Sequence, residues 1–298
     1  MSPSRPSVTI GIPTRNGAKT LPLALESALQ QTFEGIEILV SDNASSDQTP
    51  EVVQSLTVED KRIRFIRQTA PVTMLRNYEA TWREARGDFF MWLADDDLIS
   101  ENFVEGAVRA LEHRSDAVLA FGEQKQFYVS KGVETALVFD YYDFSTQGSP
   151  RWKRLWKDRH SGYEIKGLLR REALQGYGWY DHTVSPDWPL LTYLMLVGEV
   201  IRVPGIVLYN GWGLPESGED RARAQSFSSI ERFPMLKLSW RCGQAAREAA
   251  LYRGQRSSPL PAAALTFGSL LWTKRNVLFS NAIEPIVARR QGRPSHRR

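Results

Sequence analysis

Along the first third of the chain, short runs of consecutive apolar residues alternate with longer stretches in which apolar positions recur every three or four residues. "SVTIGIP" (7–13), "IEILVSD" (36–42), "RIRFIRQ" (62–68) and "GDFFMWLADDD" (87–97) are of the first kind and predict strands. Between them, "KTLPLALESALQQTF" sets Leu21, Leu25, Ala28 and Leu29 at a helical period, and "SSDQTPEVVQSL" offers a helix start with Pro50 near the first turn and Glu51 close behind. "MLRNYEATWREA" (74–85) predicts a third helix. The resulting β-α-β-α-β-α-β order predicts a parallel sheet with helices on both faces. In such sheets ligands bind beyond the carboxyl ends of the strands.

Past residue 115 the rhythm loosens. "DAVLAFGEQKQFYV" reads as strand and hairpin, and 139–162 as an aromatic loop region. "EIKGLLRREALQGYG" (164–178) and "SPDWPLLTYLMLVG" (185–198) read as helices, and "VIRVPGIVLYNGW" (200–212) as further strands. From about residue 228 a mainly helical portion is expected.

Composition adds bounds. The 298 residues are 42% hydrophobic and 24% charged, ordinary for a globular chain. Cys242 is the only cysteine, which excludes an intramolecular disulfide and a thiolate metal cluster. No stretch approaches the roughly 20 apolar residues that span a bilayer, and the N-terminus runs directly into strand-like sequence. Neither a signal peptide nor a transmembrane helix is therefore expected, and the reading is cytoplasmic. The net charge is +4, but five arginines (Arg289, Arg290, Arg293, Arg297, Arg298) follow the last acid, Glu284, and outnumber it. The basic character belongs to the tail, which argues against nucleic acid as a partner and leaves room for peripheral contact with an anionic membrane at the inner face.

Two of the strand ends carry acids: Asp42 after the second, and Asp95, Asp96 and Asp97 after the fourth. Like charges piled at the end of a buried strand repel one another, and a hard divalent cation, Mg²⁺ or Mn²⁺, relieves that repulsion. Such a cation is normally held by one or two carboxylates plus substrate phosphates, so the placement points to a diphosphate ligand. No Walker A sequence or dinucleotide fingerprint is present.

"VTIGIPTRNGAKTLPLALESALQQTFEGIEILVSDNASSDQTPEVV", then "LRNYEA" and "GDFFMWLADDDLISENF", resemble the N-terminal half of the family 2, GT-A fold, inverting glycosyltransferases. The likeness is strong over 7–125 and weaker to about 210. It implies an α/β fold of GT-A type, a mostly parallel central sheet flanked by helices, to which the residue pattern adds the helical C-terminal portion. The implied division is a glycosyltransferase domain at 1–225, with a nucleotide-binding half (7–125) and an acceptor-side half (126–225); roughly the last 80 residues have no counterpart in the family, and their own pattern gives a helical extension (226–288) and a basic disordered tail (289–298). The resemblance places Pro13, Thr14, Arg15 and Asn16 in the nucleotide pocket, Arg15 standing where an aromatic residue is common. Asp42 takes the position that contacts base or ribose, while Asn43 and Ala44 replace the usual acid and glycine. Arg76 and Asn77 match an arginine-asparagine pair near the nucleotide sugar. Asp95-Asp96-Asp97 matches the metal-binding DxD-type motif, read with Asp95 and Asp97 as ligands or with Asp96 and Asp97, and Asp96 also faces the nucleotide.

Inverting transfer also requires a base for the acceptor hydroxyl, and Asp187 in "SPDWPLL" sits where the family supplies it. The competing reading of Asp187 is helix N-terminal capping. Trp179, Trp188, Tyr209 and Trp212 could stack on sugar rings, though most aromatics serve packing. His160 and His182 lack a second ligand at metal-site spacing. The implied activity is transfer of a hexosyl-type sugar from a UDP-, GDP- or dTDP-linked donor to a saccharide or lipid-linked saccharide acceptor, in bacterial surface polysaccharide or lipopolysaccharide assembly. Two alternatives stay open on the residues: a nucleotidyltransferase, and a catalytically silent sugar-nucleotide-binding protein.

Overall fold

The computed structural model describes residues 7–130, 133–139, 163–180, 186–211 and 234–252. His160, His182, Trp212, most of the aromatic 139–162 segment and the basic tail lie outside these residues. The first half alternates as expected: β1 (Val8–Thr14), α1 (Leu21–Leu29), β2 (Ile36–Asp42), α2 (Thr49–Glu59), β3 (Ile63–Arg67), α3 (Met74–Glu84) and β4 (Phe89–Trp92). After β5 (Leu98–Ile99) and α4 (Phe103–His113) come β6 (Ala117–Ser130), β7 (Val133–Phe139), β8 (Leu168–Arg170), α5 (Asp187–Val197), β9 (Glu199–Asn210) and α6 (Pro234–Tyr252).

Every residue of β1 and β2 is buried. Helices cover both faces of a parallel sheet, so its central strands need apolar side chains on each side, and this is why their sequences read as unbroken apolar runs. In β4 the faces separate: Met91 and the following Leu93 join one core with Ile10, Ile12, Leu25 and Phe103, whereas Phe90 and Trp92 join another with Leu169, Trp179 and Tyr193. This is the period-two alternation of a strand. Trp179 packs edge-on or tilted against Trp82, Trp92 and Tyr177, at centroid distances of 5.2, 6.0 and 5.5 Å, and so is a core residue. Trp188 and Tyr209 are half-buried, and Lys125 lies over the Tyr209 ring at 5.8 Å.

The sheet runs β3-β2-β1-β4-β8-β6-β9-β5, with β7 paired to β6. Its parallel character is confined to β3-β2-β1-β4 and the β6·β9 pair; β8 runs antiparallel to both of its neighbours. The segment 164–178, read from its pattern as a helix, is instead two 3₁₀ turns (Tyr163–Lys166 and Arg171–Leu174) flanking β8. Leu168 and Leu169 are fully buried between β4 and β6. Gly167 lies so close to the Ala120 carbonyl and Phe121 that a side chain has no room. Ladder pairing with two neighbours outweighs a helical rhythm of only a few residues. Of the stretch 200–212, read as further strands, the part to Asn210 is one strand, β9, whose register against β6 slips near Pro204 and Gly205, where φ at Gly205 is 80°.

α6 packs on α5 through Ala245 and Ala249, both fully buried. Among the described residues no helix is long and apolar enough to cross a membrane.

At the amino-terminal side of the sheet, Glu37 is 5% exposed and accepts bonds from Thr9 Oγ1 (2.7 Å), the Arg86 amide (2.7 Å) and Arg64 Nη1 (2.9 Å). Glu37→Leu leaves the Arg86 amide only Thr9 Oγ1 (3.2 Å) and Arg64 only the Glu84 side, where Nη1 reaches the carbonyl at 3.1 Å, so urea unfolding should show a loss of about 1–3 kcal/mol. Ligand affinity at the opposite edge of the sheet should be unchanged, because the ends of β1, β2 and β4 lie a full strand length away.

Candidate active site

Parallel strands all point the same way, so the ends of β1, β2 and β4 collect at one edge. Thr14 lies opposite Asp42 in register, and Gly11 lies opposite Trp92, which brings the chain after β4 alongside the end of β1. The Thr14 hydroxyl there donates to Asp95 Oδ2. A methyl group at Gly17 would approach that same oxygen to 2.5 Å and also meet the Thr14 hydroxyl, so a larger residue there must push this bonded pair aside.

Each sequence-nominated residue can now be placed. Pro13 and Thr14 are buried in β1, and Arg15 and Asn16 are exposed just beyond it. Asn16 has φ 55°; its amide donates to Ser45 Oγ (2.8 Å) and its Oδ1 accepts from the Ser46 amide (2.9 Å), which ties the β1 loop to the β2 loop. Asp42 is completely buried. Its Oδ1 accepts from the Ser45 amide (3.1 Å) and hydroxyl, and its Oδ2 is 3.1 Å from Arg67 Nε. That last contact is an ion pair by distance but is not aligned as a hydrogen bond. Asn43 exchanges bonds with the Val72 backbone, at 2.7 and 2.9 Å. Ala44 sits at φ 51°, the left-handed conformation that a glycine takes without strain.

Helix α3 begins at the same edge, capped by Thr73, whose hydroxyl accepts the Arg76 amide. Its first turn fans three consecutive residues in three directions. Arg76 points outward, held by Glu79 at 2.5 Å. Asn77 is buried and bonds Ser41 (2.7 and 3.0 Å) and the Thr14 carbonyl (3.4 Å), so it staples the ends of β1 and β2 together. Tyr78 faces the acids: burial first, then the charges of Asp97, Asp95 and Asp96, hold its phenol well above the ordinary value.

The three aspartates diverge. Asp95 and Asp96 are half-buried, whereas Asp97, turned inward by a bond from its amide to the Ala94 carbonyl (3.1 Å), is 1% exposed. Burial, followed by the charges of Asp96 and Asp97, pushes Asp95 up to about 7 against the opposing bonds from the Thr14 hydroxyl and the Arg15 amide. Asp97 accepts the Gly211 amide at 3.0 Å and is ion-paired with Lys166. Among the described residues no three His, Cys, Asp or Glu side chains converge as a complete metal cage. The donor set nevertheless fits a Mg²⁺ or Mn²⁺ ion, which takes one or two carboxylates and completes its shell with phosphate and water. A buried carboxylate with a raised pKa is the kind of group that a cation stabilises.

Asp187 is the first residue of α5, directly after the N-cap Pro186, and its carboxylate accepts from its own amide at the helix start, in keeping with the capping role considered for it. It is half-buried, and burial, reinforced by the charge of Glu164, pushes it up to about 6, while its own amide pulls the other way. Glu164 is 1% exposed and belongs to the same 3₁₀ turn as Lys166. That turn thus faces Asp187 with one residue and Asp97 with another. Behind Asp187 lies Cys242 of α6, whose thiol is pushed up to about 12 by burial and is chemically inert.

Glu164, Lys166, Tyr78 and Arg67 were not singled out from the sequence. The only signal for the first two was a charged pair flanking an apolar residue in "YEIKGLL", indistinguishable there from a helix face.

Comparison with known proteins agrees with this geometry. Residues 9–175, more than half of the chain, match the profile "Glycosyl transferase family 2". An uncharacterised glycosyltransferase of Rickettsia typhi is 35% identical over 106 residues, 36% of this chain and 32% of that protein. A GalNAc(5)-diNAcBac-PP-undecaprenol beta-1,3-glucosyltransferase of Campylobacter jejuni is 34% identical over 112 residues, 37% of this chain and 35% of that protein. The chain therefore spans about a third of the length of these relatives. Among solved structures, S. aureus TarS 1-349 in complex with UDP-GlcNAc superposes with a TM-score of 0.57 at 14% identity, covering 87% of this chain and 70% of that one. The mannosyltransferase PcManGT from Pyrobaculum calidifontis, in complex with GDP-Man and Mn²⁺, gives 0.55 at 18% identity, covering 96% and 87%. At such identities the structural likeness establishes the fold, which is that of GT-A glycosyltransferases. With acids gathered at the carboxyl edge of its parallel strands and the profile matched from β1 through β8, this chain belongs to glycosyl transferase family 2.

Proposed function

We propose that this protein transfers a sugar from a nucleoside diphosphate donor to an acceptor hydroxyl with inversion at the anomeric carbon, Asp187 serving as the base. The observation that carries the reading is Asp187 itself: a half-buried carboxylate at a helix start, beside the charge of buried Glu164, with its pKa raised to about 6. A base poised near neutrality is what deprotonation of a weakly acidic hydroxyl requires. Nucleotidyl transfer to a phosphate needs no such base, and diphosphate rather than pyrophosphate leaving with the nucleoside would mark the glycosyl reaction.

Asp95 and Asp97, with Asp96 beside them, would hold a Mg²⁺ or Mn²⁺ ion, which when bound neutralises charge developing on the departing diphosphate. The mannosyltransferase structure with GDP-Man and Mn²⁺ supports this. The loops after β1 and β2, stapled by Asn77 and Asn16, form the floor for the nucleotide, and Arg76 extends from the helix above it. Asp42 would meet the base or ribose only through a small opening movement of Arg67, whose side chain is 49% exposed. Glu164 acts on Asp187 by charge, raising its affinity for the proton that it removes. The named donors of the structural neighbours support a UDP- or GDP-linked sugar, with dTDP the third candidate base. The undecaprenol-linked substrate in the name of the Campylobacter relative supports a saccharide or lipid-linked saccharide acceptor and a role in bacterial surface polysaccharide assembly at the inner face of the membrane.

Asp187→Asn should leave donor affinity intact while turnover falls at least about a hundredfold in steady-state assays. In the wild type the rate should fall about tenfold per pH unit below about 6. The raised folded pKa means that the native state keeps this proton longer than the unfolded chain. The associated destabilisation is therefore absent below about pH 4, grows towards pH 6 and is complete above it. Melting scans should accordingly place Asp187→Asn level with the wild type at pH 4 and at or above it at pH 8.

The metal reading is checked by calorimetric titration of UDP, GDP and dTDP with and without Mn²⁺. EDTA or Asp95→Asn should weaken nucleotide binding at least about tenfold with no loss of melting temperature, since Asp95 already resists ionisation. Affinity indifferent to both would refute it.

A further inference from the structure

Lys166 stands out because the acid cluster already contains its ammonium. Nζ is paired with Asp97 and donates to Asn210 Oδ1 at 2.9 Å. Asn210 is itself 5% exposed and donates from Nδ2 to Oε1 of buried Gln124 at 2.9 Å. The other Asp97 oxygen accepts the Gly211 amide at 3.0 Å, and Gly211 has φ 69°, a conformation suited to glycine. The result is a fixed chain of contacts, Gln124 to Asn210 to Lys166 to Asp97 to Gly211, drawn from β6, the 3₁₀ turn and the end of β9. The ammonium is positioned by three elements, with its side chain 20% exposed, so it is not a surface lysine that happens to reach an acid.

Such an arrangement has a consequence for any divalent cation entering the cluster. A carboxylate oxygen has more than one lone pair, so Asp97 can accept a cation while it keeps Lys166. The entering cation then sits beside a like charge held in place by Asn210, in surroundings where water screens poorly. A diphosphate supplies the missing negative charge. It can accept bonds from both cations, because lysine binds phosphate as a point charge.

We propose that Lys166 is a positioning residue which makes metal and nucleotide bind jointly: with its ammonium on Asp97 the bare cation binds weakly, and the diphosphate is what makes binding tight. This rests on the glycosyltransferase reading of the same crevice. Linkage requires the effect to be reciprocal, so the cation strengthens nucleotide binding by the same factor.

The test is Mn²⁺ binding to the full chain, read as free Mn²⁺ by electron paramagnetic resonance, with and without UDP, GDP or dTDP. In the wild type at least one nucleotide should tighten Mn²⁺ about tenfold or more. In Lys166→Met, Mn²⁺ alone should bind at least about tenfold tighter than in the wild type, and the gain from nucleotide should shrink correspondingly. Bare Mn²⁺ affinity no higher in Lys166→Met than in the wild type overturns the role of Lys166 while leaving the metal site standing. Absence of Mn²⁺ binding to either protein with every nucleotide defeats the metal reading and this proposal with it. Removing Lys166 also leaves Asp97 buried without its counter-charge. If the variant is unfolded without metal, refolding on addition of Mn²⁺, followed by circular dichroism, supports the proposal, and failure of Mn²⁺ to restore the fold overturns it. The double variant Asp97→Asn/Lys166→Met removes both charges and should lose the tightened Mn²⁺ binding; retention of it would show that the gain does not pass through Asp97.

Discussion

The end of β4 carries three carboxylates into a partly desolvated corner, and the rest of the crevice is arranged around keeping that charge in place. A carboxylate taken out of water either gains a partner or holds its proton. Both outcomes occur within three residues. Asp97, the most deeply buried, is matched by Lys166 and the Gly211 amide, while Asp95, given only a hydroxyl and one backbone amide, is pushed up to about 7. The imbalance leaves Asp95 short of positive charge, and the hydroxyl that partly compensates it comes from Thr14, the last residue of β1.

Two asparagines near the strand ends hold the loops of this edge together. Asn77 consumes its amide in joining β1 to β2, and Asn43 anchors the chain that leads into α3. These bonds set the spacing between the two loops, and an amide cut away there leaves backbone groups without partners. Glu79 plays a comparable part for Arg76. It is 4% exposed, bonded also to Arg83 at 2.7 Å, and so gives a largely exposed guanidinium a fixed root.

The two halves of the crevice meet through the 3₁₀ turn Tyr163–Lys166. One turn of chain carries a negative residue towards Asp187 and a positive one towards Asp97, so Asp187 holds its proton more tightly and the acid cluster is less negative because of neighbours only two positions apart. This coupling depends on β8, because the turn is fixed where Leu168 and Leu169 enter the sheet between β4 and β6. The C-terminal helix α6 closes the other side of α5 with small residues, Ala245 and Ala249, and so supports the helix that presents Asp187.

The first four strands and three helices were legible in the sequence because their signal is local. A strand buried on both faces must be apolar throughout, as β1 and β2 are, and a helix such as α1 must place its apolar residues on one side, as Leu21, Leu25 and Ala28 do. The acids at the strand ends were legible for the same reason, since parallel topology fixes the edge on which they fall. Residues 164–178 were not. Their apolar spacing suits a helix, and only two neighbouring strands, far away in the chain, decide that Leu168–Arg170 extends instead. Lys166 and Glu164 were invisible for a related reason: a charged residue gains meaning from the charge it faces, and Asp97 and Asp187 lie 69 residues before the one and well after the other. The sequence by itself thus determined the α/β class and the sheet edge on which the acids fall, because both follow from periodicity; tertiary structure decided which charges meet, because that depends on contacts between segments whose separation along the chain carries no pattern.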